Sequence, residues 1–222
     1  MADAPVMLPP PRVERSPRRV RVLVDGELAA ESRSPRLLCW YGPGTLPTYL
    51  FEDGELTPAA EGLAVRASVL GPAPEDGWTL PWDDPRVQWF EEAEQVHVHA
   101  RDTSKRVDVV ASDRHVVVSV DGTVLADSRR PHALFETPLP PRWYLPRADV
   151  RLDLLEPSPT VSRCPYKGTA TWWSHGGRDL AWSYEDPVPE CPRIAGLIAF
   201  FDEHVDVELD GERRPRPVTP WS

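Results

Sequence analysis

Cys164 and Lys167, in the string Cys164-Pro165-Tyr166-Lys167-Gly168, are the residues whose types and spacing point most directly to chemistry. The chain writes 23 of its 25 cationic side chains as arginine, so a lysine at this place is a marked choice. Lysine, unlike arginine, loses its proton when desolvated and then serves as a base or Schiff-base former; charged, it anchors an anion as a compact point charge. A nearby ammonium also favours the thiolate of Cys164, which is the nucleophilic form. Cys164 and Lys167 are therefore the candidate catalytic residues. One cysteine with one lysine is neither a metal signature nor a triad, and the competing reading is a buried cysteine in a turn beside a solvated lysine.

Aromatic residues crowd the same region. Trp143, Tyr144, Tyr166, Trp172, Trp173, Trp182 and Tyr184 fall within 42 residues, with Arg142, Arg147 and Arg163 beside them. Aromatic walls with a few polar groups are the usual make-up of a small-ligand pocket, although surplus tryptophan also fills cores. The candidate ligand-binding residues are Arg142, Trp143, Tyr144, Tyr166, Trp173, Trp182 and Tyr184, with Arg142 and Lys167 contacting an anion or carbonyl. Strand alternation keeps Trp172 and Trp173 off a common face, so one enters the core and the other faces a cleft or the other domain.

Other constellations are weaker. His97-x-His99 places two imidazoles on one strand face without an evident third ligand. His175-Gly176-Gly177-Arg178-Asp179 reads as a hairpin turn, because no Gly-Lys-Ser/Thr follows it. Asp149, Asp153 and Glu156, and the pair Asp206 and Glu208, read as solvated carboxylates. The metal expectation is none and the cofactor expectation is none.

The elements that must position these groups are strands. Val20–Leu38 lies over Val116–Leu134 at a constant offset of 96, with ten identities in nineteen positions. The shared core is Val-x-Val-x-Val-Asp-Gly, a strand entering a tight hairpin. Leu46–Leu50 echoes Leu139–Leu145, and the alternating stretches Gln95–His99 and His204–Leu209 close the two copies. Twenty-seven prolines among 222 residues oppose long helices. The fold class is all-β: two tandem, homologous, small antiparallel domains, with a Pro/Arg-rich disordered tail over 1–18, a first domain over 19–110 and a second over 112–215.

Composition excludes several functions. A formal charge of -10 opposes a nucleic-acid polymer or an anionic membrane as partner. The longest apolar run, Ala195–Phe201, is far short of the ~20 residues of a membrane helix. The first residues carry no apolar signal core, and three cysteines without a Cys-x-x-Cys pair suit a reducing compartment. The expected location is cytoplasmic. The arginine-heavy, lysine-poor balance suggests a GC-rich bacterial genome.

The second copy resembles the family called domain of unknown function 427. The resemblance rests on Asp121-Gly122, Leu139-Pro140-Pro141-Arg142-Trp143-Tyr144-Leu145-Pro146, Asp149-Val150-Arg151, Leu154-Leu155-Glu156-Pro157-Ser158, Cys164-Pro165-Tyr166-Lys167-Gly168, Ala181-Trp182-Ser183-Tyr184 and Ile194-Ala195-Gly196, in this order over about residues 112–213. The first copy resembles the family at Val20–Pro35 and Leu46–Leu50 but lacks the Cys-Pro-Tyr-Lys-Gly motif, which makes it a degenerate copy in a tandem form. The resemblance implies a β-tent-like domain, two antiparallel sheets meeting at an angle over a pocket. The family is sometimes labelled nucleotidyltransferase-like, yet no Gly-Ser element with an acidic triad is written here.

The expected function is a small-molecule-binding protein with an aromatic-lined pocket in the second domain, acting through Cys164 and Lys167 if it turns over a planar carbonyl-bearing or anionic ligand. The alternatives are a non-catalytic protein-interaction module and a nucleotide-acting enzyme. Sequence alone names neither the ligand nor an oligomeric state.

Overall fold

In both halves of the chain the repeated Val-x-Val-x-Val-Asp-Gly string folds as a hairpin. Asp25 and Gly26 have φ of 50° and 85°, and Asp121 and Gly122 have 49° and 81°. Two consecutive left-handed residues make the turn whose twist matches that of paired strands, which is why Asp-Gly sits there. The computed structural model describes residues 8–41, 45–71, 73–219 and 222, and the chain divides into two units, 8–103 and 104–222.

The first unit contains β1 (Arg12–Arg15), β2 (Val20–Val24), β3 (Glu27–Ser32), β4 (Arg36–Cys39), β5 (Thr48–Leu50), β6 (Val65–Arg66), β7 (Trp78–Thr79), β8 (Val87–Glu91) and β9 (Glu94–Val96). They form sheets in the orders β3-β2-β8-β9, β1-β4-β5 and β6-β7. The second unit contains β10 (Val107–Ala111), β11 (Val116–Val120), β12 (Thr123–Ser128), β13 (His132–Glu136), β14 (Arg142–Leu145), β15 (Glu156–Cys164), β16 (Gly168–His175), β17 (Arg178–Ser183), β18 (Ile198–Phe200), β19 (Asp206–Leu209) and β20 (Glu212–Arg213). These build a four-stranded sheet, β12-β11-β19-β20, and a seven-stranded one, β10-β13-β14-β18-β17-β16-β15. Strand pairing is antiparallel throughout both units. Among the described residues no helix is long and apolar enough to cross a membrane.

The two units share their register residue by residue. In the first hairpin Val20 faces Ser32 and the register slips between Val22 and Leu23; 96 residues on, Val116 faces Ser128 and the slip falls between Val118 and Ser119. Arg12 faces Cys39 across β1 and β4, as Asp108 faces Phe135 across β10 and β13. β8 pairs with β2 as β19 pairs with β11. The end of β17 pairs with β18 as β6 pairs with β7. β15 and β16 have no counterpart among the described strands of the first unit.

Four expectations change. Arg12–Arg15, assigned to a disordered tail, is a strand on β4 with three half-buried residues and an exposed Arg15; edge strands of this kind show no apolar alternation to read. Residues 1–7 of that tail lie outside the described residues. The second unit likewise begins earlier than residue 112, because β10 pairs with β13. The strand equivalent to Asp206–Leu209 is Val87–Glu91 rather than Gln95–His99. β9 stops at Val96, Val98 takes a φ of 83°, and His99 is buried with Nδ1 2.7 Å from the Ala100 carbonyl oxygen while His97 is exposed. The two imidazoles therefore share no strand face.

In the second unit the seven-stranded sheet has different company on its two faces. On one, Leu145, Ala181 and Phe200 pack with Val116, Val118, Val207 and Leu209 of the other sheet. On the opposite face Leu134, Tyr144, Ala170, Tyr184 and Ala199 form a separate cluster with Ile194 and Cys191. Full burial of each large apolar side chain contributes about 1.5–3 kcal/mol, so both faces of this sheet are anchored.

Candidate functional site

Alternation along β14 sends Arg142 and Tyr144 to one face and Trp143 and Leu145 to the other. The first face opens into a cavity of about 170 Å³ that Arg142 and Tyr144 share with Glu136, Lys167, Trp172, Trp182, Tyr184 and Phe201. The indole rings of Trp172 and Trp182 lie 5.1 Å apart and tilted at 43°. Phe201 meets both edge-on at 6.0 and 6.2 Å. Each indole N–H is satisfied: Trp172 Nε1 donates to Ser162 Oγ at 2.9 Å, and Trp182 Nε1 donates to the Tyr144 hydroxyl oxygen at 3.2 Å.

Lys167 enters from the turn between β15 and β16. Its backbone N–H donates to the Cys164 carbonyl at 3.3 Å, and its carbonyl accepts from Val188 N–H at 3.1 Å. Gly168 makes this possible. It has a φ of 108°, and a Cβ there would stand 3.3–3.4 Å from Asp186 O, Pro187 Cα and Val188 N. Only glycine takes that backbone conformation readily with neighbours so close. The Cys-Pro-Tyr-Lys-Gly string thus fixes Lys167 by pressing the following residue against the Asp186–Val188 segment.

The Lys167 ammonium is paired with Oε2 of Glu136, and Lys105 holds Oε1 at 2.8 Å. The side chains of Glu136, Lys167 and Lys105 are 5%, 12% and 13% exposed. Lys105 and Lys167 are the only lysines in the sequence, and both converge on one carboxylate. Burial raises the Glu136 pKa, but the two ammoniums outweigh it and hold the group below the ordinary glutamate value. Burial likewise works against the Lys167 charge, and Glu136 overcomes it, so the Lys167 pKa lies above normal. Lys167 is a fixed cation in this arrangement.

Arg142 forms the other charged wall. It donates to Glu203 through both terminal nitrogens at 3.1 and 3.0 Å and to the Phe200 carbonyl at 3.2 Å. It also lies 3.3 Å from Asp202 and over the Trp182 ring at 5.3 Å. Burial pushes the Asp202 carboxyl up to about 6 against the pull of Arg142.

Among the residues singled out from sequence, Lys167, Arg142, Tyr144, Trp182 and Tyr184 meet in this cavity. Trp143 and Trp173 do not; they pack on the opposite face against the inter-sheet core, and Arg147 covers Trp173 at 5.5 Å. The cleft-facing member of the Trp172-Trp173 pair is Trp172. Tyr166 instead receives the Lys105 ammonium over its ring at 5.3 Å. Cys164 is half-buried and outside the cavity lining. Glu136 and Lys105 carried no sequence signal of their own, except that Lys105 is the only other lysine.

A larger hollow of about 350 Å³ lies on the opposite face of β13 and β14, lined by Phe135, Trp143, Val207 and Leu209. Its charged groups are already engaged: Arg114 with Asp210, Arg216 with Asp206, and Asp202 with Arg142. Asp206 also binds Arg213, Asp149 binds Arg130, and Asp153 binds Arg151, so these carboxylates serve ion pairs. Among the described residues, the one cluster of three metal-competent side chains is Glu14, Cys39 and Asp102 in the first unit. Arg12 pairs with Asp102 there and supplies a cation of the protein's own.

At the matching positions of the first unit this face is closed. Trp40 stands where Glu136 stands, Leu38 where Leu134 stands, and Leu50 where register places Tyr144. Leu38, Leu50 and Ala67 form an apolar cluster with Val13 and Trp40. Gly71 lets the Trp40 ring lie in it, since a Cβ there would be 2.4 Å from Trp40 Cη2.

No curated protein matches the chain. The family model described as Domain of unknown function (DUF427) matches residues 108–211, a span that holds the whole lining of the smaller cavity. From strand β10 through the Asp210-Gly211 turn, the chain is similar to the DUF427 family.

Proposed function

We propose that the second unit binds a small ligand built on one planar ring, in the cavity between Trp172, Trp182, Tyr144 and Tyr184. The observation that carries this reading is the pairing of a two-indole wall with a buried cation in about 170 Å³. A buried cavity of about 150 Å³ accommodates benzene, so the space fits a single six-membered ring rather than a nucleotide. Lys167 acts as a charge that orients the ligand; with its proton held by Glu136 it does not serve as an amine nucleophile. The first unit is a second copy of the domain whose cavity is sealed by Trp40, and its role is structural. The three free cysteines suit a cytoplasmic location.

The test is a thermal-shift measurement on the full chain with uracil, orotate, succinimide and benzoate, each at millimolar concentration. A ligand at 100 times its Kd stabilises by about 2.7 kcal/mol, a shift of several degrees. At least one of these rings raises the melting temperature, the shift is lost in Trp172→Ala, and it survives in Trp173→Ala. Silence from all four probes overturns the reading.

A further inference from the structure

Donors outnumber acceptors around the ring cavity. Among its described lining residues Glu136 is the one carboxylate, and both of its oxygens are occupied, by Lys105 and by Lys167. An ammonium has three N–H groups, and Lys167 uses one on Glu136. Tyr144 is 1% exposed; its hydroxyl oxygen accepts from Trp182, which leaves its proton to be given. Tyr184 is 5% exposed and lines the same space. Its hydroxyl has no hydrogen-bond partner among the described residues. Three groups with donor capacity to spare therefore line one cavity, which points to an acceptor brought from outside the chain.

Charge narrows the choice. Lys105, Lys167 and Glu136 together leave one positive charge at this wall. Both phenols remain protonated at neutral pH: burial pushes Tyr144 up to about 12 and raises Tyr184 too, against the opposing effect of Lys167. A neutral carbonyl offers two lone pairs to these donors, whereas a carboxylate offers about four sites and the compensating charge.

Building on the ring-binding reading above, we propose that Lys167, Tyr144 and Tyr184 form a seat for an oxyanion, and that the bound ring carries a carboxylate. The ring lies against Trp172 and Trp182, and its carboxylate meets the ammonium and the two hydroxyls.

Calorimetric titration of the full chain with benzoate and with benzamide separates the possibilities, because the two share ring and size and differ in charge. Benzoate binds at least about tenfold more tightly than benzamide, as expected of charge-assisted bonds. Tyr184→Phe weakens benzoate about fivefold or more, leaves benzamide unchanged, and melts at about the same temperature, since it removes no hydrogen bond within the described chain. Lys167→Met abolishes the preference for benzoate. Equal affinity for the two probes, or undiminished benzoate binding by Tyr184→Phe, overturns the oxyanion seat while leaving ring binding intact. Binding of neither probe, together with silence in the four-ring screen, removes both readings. The wild-type ratio decides the matter even if a variant does not fold.

Discussion

Glu136→Gln tests the charge cluster on which the site depends. The carboxylate is 5% exposed and sits between two ammoniums that are 12% and 13% exposed. Breaking a buried ion pair by removing one partner costs about 3–5 kcal/mol. Here the two lysines retain some access to water, which places the expected loss near the lower bound, about 3 kcal/mol. With a urea m-value of ~2–3 kcal/mol/M for a protein of this size, the midpoint falls by about 1 M, followed by tryptophan fluorescence at pH 7. Glutamine keeps the shape and removes only the charge, so the loss is electrostatic. The triple change Glu136→Leu, Lys105→Met and Lys167→Met recovers most of it, because apolar replacement of a whole buried cluster is far less costly than breaking it. Acid supplies a second check. The folded-state pKa of Glu136 lies below its ordinary 4.5, so its contribution is complete above 4.5 and disappears as pH falls through the lowered value. The gap between wild type and Glu136→Gln is therefore constant from pH 7 to about 5 and closes in stronger acid. A loss under about 0.5 kcal/mol at pH 7 would refute the reasoning.

Asp202 has the opposite sign. Its folded pKa is raised from 3.8 to about 6, so the stability it contributes is present below 3.8 and is lost as pH rises through about 6; urea titrations at pH 5 and 7.5 show wild type losing stability relative to Asp202→Asn over that interval. Gly168→Ala forces a φ of 108° on a residue with a Cβ and crowds the Asp186–Val188 backbone. It lowers stability by about 1–3 kcal/mol, measured by thermal denaturation, and weakens any ring that shifts the wild-type midpoint.

Much of the architecture is written locally and is correspondingly legible. Alternating valines that end in Asp-Gly dictate a strand and its turn within seven residues, and the structure places Val20, Val22, Val116, Val118 and Val120 inside as that pattern requires. Lys167 was visible through scarcity in an arginine-rich chain. Its partner was not, because Glu136 lies 31 residues away and nothing in its neighbours distinguishes it from a solvated glutamate at the end of a strand. The choice between Trp172 and Trp173 depends on which sheet face the added hairpin presents, a fact of tertiary pairing that the dipeptide does not contain. β1 was hidden for another reason: with Arg12, Glu14 and Arg15 among its four residues, it is held by backbone pairing rather than by an apolar face.

The shared register of the two units bears on how the chain folds. Hairpins with identical pairing and ten common residues are natural candidates for strand exchange, a recognised failure of chains with several folding units. The difference at one matched position works against the error. If β4 occupied the place of β13, Trp40 would arrive where Lys105 and Lys167 require a carboxylate, and two ammoniums would be left without their counter-charge. In the reverse exchange Glu136 would enter the apolar cluster of Leu38, Leu50 and Ala67. Either mistake buries unpaired charge at a cost of several kcal/mol, so the same residues that shape the cavity also mark each strand for its own unit.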